Sequence, residues 1–231
     1  MGIIQCNGLT KYYGAVPALK GIDLDIEPGQ IVGLLGPNGS GKTTFIKLAN
    51  GLLTPNGGEI RINGNTPGPA TKSIVAYLPD REFLPGYMKV GALMKYYADF
   101  FRDFNESKAI EMFRSLGIQP DMTIRSMSKG TREKVQLVLC MSREAQVYFL
   151  DEPIGGVDPA ARDYILRTII SNYNPRAVVM ISTHLISDVE SILDDVIFIK
   201  EGNIVLHGKA DDIRAEKGMS VDALFREVFR C

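Results

Sequence analysis

Residues 36–43 read GPNGSGKT and match the pattern G-x-x-x-x-G-K-[ST] in full. They follow an apolar stretch, IVGLL, and precede a stretch with helical character. In such a loop successive backbone N–H groups converge on phosphate oxygens, and the helix N-terminus adds its positive dipole. Lys42 is predicted to reach the β- and γ-phosphates, and the Thr43 hydroxyl is predicted to bind Mg²⁺. The predicted nucleotide-binding residues of this loop are Asn38, Gly39, Ser40, Gly41, Lys42, Thr43 and Thr44.

Two adjacent acids follow a second apolar stretch in VYFLDEP, residues 147–153. Four apolar residues predict a buried strand, and Asp151 stands at its carboxyl end, where open parallel sheets place their ligands. Asp151 is therefore predicted to hold Mg²⁺, directly or through water. Glu152 is predicted to be the general base that acts on a water in line with the γ-phosphate. The alternative is a solvated turn, which the preceding apolar run disfavours.

The sequence contains two histidines. His184 lies in ISTHLISDVE, after a third apolar stretch and before a short helical one. There it is expected to contact the γ-phosphate and to hold Glu152 and the attacking water in place. His207, in VLHGK, is predicted to be a turn residue without a chemical role.

Residues 127–131 read MSKGT and come just before an amphipathic helix that is predicted from Thr131 onward. A serine and a glycine at a helix N-terminus favour an anion against the backbone amides. However, Lys129 stands where a phosphate-binding loop would carry glycine. These residues alone do not decide whether the loop binds a phosphate, or which nucleotide that phosphate would belong to.

The surrounding patterns predict strands that alternate with helices, as in a mainly parallel sheet covered on both faces. A segment with helical periodicity, from about residue 86 to 145, interrupts this alternation and is predicted to be an inserted helical subdomain. The core is placed at about residues 1–85 and 146–215. A helix at about residues 220–230 carries an apolar stripe, and docking onto its own domain is favoured over a subunit contact.

Composition excludes some classes of function. The chain has 231 residues, a net charge of −1 and 45% apolar residues, as an ordinary globular protein has. The chain has no excess of basic residues, so nucleic-acid binding is disfavoured. Its apolar runs are shorter than the roughly 20 residues that a membrane span needs. Three widely spaced cysteines, Cys6, Cys140 and Cys231, favour reduced thiols in a cytosolic protein.

The phosphate loop, MSKGT before a helix, VYFLDEP, GGVD and STH occur in the order and spacing found in ATP-binding subunits of ABC transporters. The chain resembles that family over essentially its whole length. The resemblance implies a P-loop NTPase α/β fold with an N-terminal antiparallel β-subdomain. It also implies that Tyr13 stacks on adenine beside Val16, that Ser128 and Gly130 form the signature motif, and that the loop of Asp158 crosses a dimer interface. Two such subunits pack head to tail, so MSKGT is expected to cover the partner's nucleotide.

The sequence departs from the family pattern at two places. The usual signature is Leu-Ser-Gly-Gly-Gln, so Met127, Lys129 and Thr131 differ from it. The family usually has glutamine where Asp80 stands. Asp80 is either an anionic ligand of Mg²⁺ or a charge that repels the γ-phosphate, with Arg81 offsetting it.

The function expected from the resemblance is Mg²⁺-dependent ATP hydrolysis that powers transport, with export preferred. The expected partners are a separate transmembrane permease and a second ATP-binding subunit, identical or not, at the cytoplasmic face of the cell membrane. The main alternative is an ABC-type ATPase that acts on a soluble macromolecular assembly. A GTPase or small-molecule kinase is disfavoured because no Asn/Thr-Lys-x-Asp guanine motif is found. A regulatory binder without turnover is disfavoured by the retention of Lys42, Asp151, Glu152 and His184.

Overall fold

The computed structural model describes residues 2–155 and 159–229, with two sheets and the helices that cover them. The strands are β1 Ile4–Tyr13, β2 Val16–Ile26, β3 Ile31–Leu35, β4 Gly57–Ile62, β5 Val75–Leu78, β6 Val147–Asp151, β7 Val178–Thr183, β8 Asp195–Lys200 and β9 Asn203–Lys209. The helices are α1 Lys42–Ala49, α2 Pro69–Lys72, α3 Val90–Phe100, α4 Glu106–Ser115, α5 Lys129–Met141, α6 Pro159–Asn172, α7 Ile186–Val189, α8 Ala210–Lys217 and α9 Val221–Val228.

The core sheet has six strands in the order β5-β6-β7-β3-β8-β9, all parallel except for the β8–β9 hairpin. In its register Leu35 lies opposite Thr183, and Asp151 lies opposite Ser182. The carboxyl ends of β3, β6 and β7 therefore meet at one edge of the sheet. The phosphate loop, Glu152 and His184 each follow one of these ends, so the topology brings them together.

Both faces of the core sheet are buried, as its apolar strands require. In β7, Val178 and Met180 pack under the antiparallel sheet and α1, whereas Val179 and Ile181 pack under the longer helices of the opposite face. All four side chains are inaccessible to solvent. Since β3 and β6 lie between covered faces in the same way, they form a rigid support for the loops at their ends.

The antiparallel sheet has the order β2-β1-β4. Its first hairpin turns at Gly14, which has a φ of 60°, and pairs Tyr13 with Val16. This pairing leaves both side chains about half-exposed or more, at 49% and 66%. The hairpin therefore presents an aromatic and an aliphatic residue next to each other. The α/β P-loop fold with this antiparallel sheet is confirmed.

Helices α3, α4 and α5 are inserted between β5 and β6 and contain the helical periodicity noted in the sequence. Arg143, which is only 4% exposed, ties the end of this insertion to the core. Its guanidinium pairs with Asp103 at 2.9 Å and donates to the carbonyl groups of Val75 and Ser73. The proposed boundaries of the helical subdomain stay a prediction.

Helix α9 packs against its own chain, as predicted. Phe225 contacts Phe198 edge to face, with ring centroids 5.4 Å apart, and stacks on Phe229 at 4.2 Å. Val221 and Leu224 are buried in the same core. Helices α2 and α8 were not predicted, because α2 has only four residues and α8 buries only Ala210 and Ile213, so neither has a recognisable apolar stripe. Across the described ranges, no helix combines the length and the apolarity that crossing a bilayer requires.

The prediction for His207 was wrong. This residue lies within β9, and its Nε2 is 2.9 Å from Oδ2 of Asp195 on the paired strand β8. The turn lies instead at Glu201 and Gly202, which both have positive φ, as a two-residue hairpin requires. The hydrogen bond to Asp195 raises the pKa of His207, and partial burial opposes the shift.

We expect the stabilising effect of His207 to depend on pH. Because its pKa is raised in the folded state, its contribution is complete below the ordinary histidine pKa and is lost as pH rises through the folded value. The difference in unfolding free energy between the wild type and His207→Gln should therefore be largest below the ordinary histidine pKa of about 6.5 and shrink as the pH rises above it. Urea denaturation at pH values on both sides of this pKa measures the difference. A difference that stays constant would contradict the assigned ion pair.

Candidate nucleotide site

The loop of residues 36–43 joins β3 to α1, and two of its glycines, Gly36 and Gly41, are required by close backbone approaches. Gly41 has a φ of 115°, and a Cβ there would lie 2.7 Å from the carbonyl oxygen of Ala18. A Cβ on Gly36 would lie 2.4 Å from the carbonyl oxygen of Ile199. Among the described residues, no side chain caps the N-terminus of α1. Its first N–H groups are therefore suited to an anion, as in other phosphate loops.

Lys42 is only 6% exposed and lies across this loop. Its ammonium donates to the carbonyl oxygen of Gly36 at 2.7 Å and lies 3.5 Å from Oε1 of Glu152. Burial lowers the pKa of Lys42, while the neighbouring Glu152 and Asp151 oppose that shift. A cation held in this way is positioned to attract phosphate oxygens.

Asp151 is fully buried at the end of β6, which rules out the solvated turn. Its Oδ1 accepts hydrogen bonds from the hydroxyls of Ser182 and of Thr43, the latter at 3.2 Å. Its Oδ2 has no hydrogen-bond partner among the described residues. Burial raises the pKa of Asp151, the two hydroxyls lower it, and the charges of Asp80 and Glu152 raise it further.

These oxygen atoms fit Mg²⁺. A buried carboxylate oxygen without a partner is costly, and a divalent cation would compensate it. Thr43 supplies a hydroxyl beside Asp151, and the described residues contain no cluster of three His, Cys, Asp or Glu that would form a metal cage by itself. This arrangement suits Mg²⁺ held by one or two carboxylates together with substrate phosphates.

Glu152 and His184 form a pair beside Lys42. Nδ1 of His184 lies 3.1 Å from both carboxylate oxygens of Glu152, a pairing that needs the proton on Nδ1. Glu152 has a φ of 49°, which is uncommon for a residue other than glycine, and its N–H is held by the carbonyl oxygen of Ser182 at 2.9 Å. The backbone of Glu152 is therefore held by Ser182, and its carboxylate by His184 and the Lys42 ammonium, an arrangement that suits a general base.

A single open cleft brings most of the predicted site residues together. Its lining comprises Tyr13, Val16, Pro17, Ala18, the loop residues 38–44, Asp80 and Glu152. The exposed ring of Tyr13 lies at one end, with the ammonium of Lys11 5.9 Å from its centroid. An exposed aromatic face suits stacking with a base. Asp151 and His184 adjoin the cleft through Thr43 and Glu152.

Asp80 lies between this cleft and a second, charged cavity. That cavity is bordered by the loop after β5, the start of α5 and the segment after Glu152, and its lining includes Lys129 and Glu133. The charge of Asp80 adds to burial, the larger cause, in raising the pKa of Asp151. Both alternatives for Asp80, metal ligand or repelling charge, remain compatible with this position.

Ser128 and Gly130 do not line the cleft. Ser128 caps α5, because its hydroxyl oxygen accepts from the N–H of Thr131 at 3.2 Å, and α5 begins at Lys129 rather than at the predicted Thr131. The side chain of Lys129 is 65% exposed and lies 3.7 Å from Glu133. Asp158 lies outside the described residues.

Sequence reasoning missed Ser182, the hydroxyl partner of Asp151. Ser182 is fully buried in β7, directly opposite Asp151 across the strand pair. A serine at the end of an otherwise apolar strand was the available signal, because a buried hydroxyl needs a partner.

The fold is that of a P-loop NTPase, and comparisons with known proteins give the family. The ABC transporter family model matches residues 19–155. The uncharacterised ABC transporter ATP-binding protein YdbJ of Bacillus subtilis is 32% identical over 212 residues, which is 87% of this chain and 68% of the relative. The daunorubicin resistance ATP-binding protein DrrA3 of Streptomyces coeruleorubidus is 28% identical, over 97% of this chain and 74% of its own.

A solved structure of an ATP-binding subunit of an ABC transporter superposes with a TM-score of 0.86 at 28% identity, and covers 99% of this chain and 100% of its own. The chain therefore belongs to the ABC transporter family, among its ATP-binding proteins.

The two central glycines of the loop provide a matched test of its geometry. Gly41→Ala places a Cβ against the Ala18 carbonyl and strains the backbone, so the free energy of unfolding should fall by about 1–3 kcal/mol and ATP binding should be lost. Gly39 also has a positive φ, 82°, but a Cβ there meets no atom of the described residues within 4 Å. Gly39→Ala should therefore lower the free energy of unfolding by only about 1 kcal/mol. Chemical denaturation compares the two, and equal losses would contradict the steric argument.

Proposed function

We propose that this chain hydrolyses Mg-ATP and couples the reaction to export through a separate transmembrane permease. The observation that carries the proposal is the convergence, at one sheet edge, of the loop lysine, an oxygen site for Mg²⁺ and a carboxylate held by histidine. This convergence supports the proposal, because it offers a cation to the phosphates of a triphosphate and a carboxylate to the water that would attack the terminal phosphate.

Each residue has a distinct part in this reaction. Tyr13 and Val16 hold the base, residues 38–44 bind the phosphates through backbone N–H groups, and Lys42 binds the β- and γ-phosphates. Thr43 and Asp151, with Asp80, would hold Mg²⁺, which when bound neutralises charge on the phosphates. Glu152 accepts a proton from the attacking water. His184 fixes the Glu152 carboxylate and, on this proposal, contacts the γ-phosphate.

The second part of the site is proposed to come from another ATP-binding subunit. Gly130 lies in the first turn of α5 without a positive φ, and a Cβ there would meet no described atom within 4 Å. A glycine in a helix costs about 0.5–1 kcal/mol relative to alanine, so nothing within the described part of this chain favours it. A surface that must admit another subunit's nucleotide accounts for the glycine, and Ser128 beside it offers a hydroxyl. Asp158 is proposed to act at the same interface.

The transport part of the proposal rests on the family and its relatives. The relative DrrA3 is named for daunorubicin resistance, which favours export. The proposed partners are the permease and the second ATP-binding subunit, at the cytoplasmic face of the cell membrane. Copurification of the permease with a tagged form of this chain tests this part directly. Recovery with a soluble assembly alone would contradict it.

Glu152→Gln tests the proposed general base. The amide keeps the shape of the side chain but cannot accept the proton, so the ATPase rate should fall by about 100-fold or more. ATP should then accumulate in a closed dimer, which size-exclusion chromatography with light scattering detects. Glu201→Gln is a matched control, because Glu201 has nearly the same φ, 48°, and an exposed side chain. A Glu152→Gln protein that stays monomeric at saturating ATP would refute the mechanism.

Asp80→Gln tests the proposed third oxygen ligand. If Asp80 binds Mg²⁺ as an anion, the variant should need roughly three- to tenfold more Mg²⁺ for half-maximal ATP binding. Titration of Mg²⁺ at fixed ATP measures this, with Asp121→Asn, on an exposed loop, as the control. An unchanged Mg²⁺ requirement with tighter ATP binding would identify Asp80 instead as a repelling charge.

A further inference from the structure

Two side chains of α5 hold the loop that follows β5, residues 79–84. Arg132 forms a bidentate ion pair with Glu82, with Nε 3.0 Å from Oε2 and Nη2 2.9 Å from Oε1. One turn further along α5, Oε1 of Gln136 accepts the N–H of Phe83 at 3.1 Å. Residues four apart lie on one face of a helix, so both contacts fix the same loop to the same face.

Arg132 also makes a third contact in another direction. Its Nη1 donates to the carbonyl oxygen of Met127. Met127 directly precedes Ser128, the residue that caps α5. All three nitrogens of the guanidinium are therefore used, two on the 79–84 loop and one on the peptide that leads into the serine.

The two segments that Arg132 contacts, the 79–84 loop and the Met127–Ser128 peptide, border different surfaces of the protein. Asp80, two residues before Glu82, borders the cleft that contains Lys42 and Thr43. Ser128 lies outside that cleft, on the surface proposed to meet a second subunit. A rigid planar guanidinium that grips both segments transmits a displacement of one to the other better than a single flexible contact does.

We propose that Arg132 is a positioning residue that couples the nucleotide at this chain's phosphate loop to the placement of Ser128 on its α5. This inference rests on the function proposed above and adds to it a path within the chain. When Mg-ATP draws in the 79–84 loop at Asp80, Glu82 moves Arg132, and Arg132 moves the Met127–Ser128 peptide. Occupancy of one site thereby prepares the surface that completes the other.

The effect should appear in catalysis and cooperativity rather than in folding. Arg132 and Glu82 are 25% and 41% exposed, and ion pairs at such exposure contribute little to stability. Lysine at position 132 keeps the charge but cannot make the bidentate ion pair and the carbonyl contact together. Arg132→Lys should therefore leave the melting temperature unchanged.

The test uses Arg132→Lys, Glu82→Gln and the double variant, assayed as the assembled ATPase. Arg132→Lys should lower kcat roughly three- to tenfold and bring the Hill coefficient for ATP towards 1, while ATP affinity measured without Mg²⁺ stays within about twofold of the wild type. The kcat of the double variant should fall by less than the product of the two single fold-losses, because both substitutions break the same connection.

The matched control is the ion pair of Arg61 and Glu59 on β4. Nε and Nη2 of Arg61 lie 3.0 and 2.9 Å from Oε2 of Glu59, at 46% and 51% exposure and away from the cleft. Arg61→Lys and Glu59→Gln should leave kcat and cooperativity unchanged.

Two outcomes overturn the inference, and they are distinguishable. If the wild type hydrolyses ATP but Arg132→Lys has the same kcat and Hill coefficient as Arg61→Lys, the coupling role is wrong while the proposed function stands. If the wild type itself hydrolyses no ATP, the proposed function fails and the inference fails with it.

Discussion

Burial of opposite charges at one edge of the core sheet is the constraint on which the site depends. A buried ammonium, Lys42, lies within 3.5 Å of Glu152, and a fully buried carboxylate, Asp151, is held by two hydroxyls. Isolated charges of this kind would be neutralised or expelled, so they persist only because they compensate one another. The loop that carries Lys42 can approach them because its glycines have no side chains.

The sheet fixes the geometry of these charges. Because β3, β6 and β7 are parallel neighbours covered on both faces, their carboxyl ends cannot move apart without disrupting the core. The helical insertion lies between β5 and β6, so the loop of Asp80 and the helix of Ser128 belong to one structural connection. Side-chain contacts such as that of Arg132 with Glu82 connect this loop to the helical insertion.

The sequence predicted the elements with a strong local signal and missed those defined by distant partners. The phosphate loop, the strand ending at Asp151 and the helical insertion were recognisable because apolar periodicity and glycine spacing are local properties. His207 was assigned to a turn because its neighbour is glycine, whereas its environment is set by Asp195, twelve residues earlier on the paired strand. Ser182 and Arg132 were missed for the same reason, since each acts through a residue far away in sequence.

Complementation between two inactive chains tests the central claim, that one chain's phosphate loop and another's Ser128 enclose one nucleotide. Lys42→Ala and Ser128→Arg chains should each be inactive alone. Mixed one to one, they form some dimers in which an intact Lys42 faces an intact Ser128, and ATPase activity clearly above that of either variant, up to about a quarter of the wild-type activity, should return. If both residues instead act on the same nucleotide within one chain, the mixture will be no more active than either variant, and the account will be wrong.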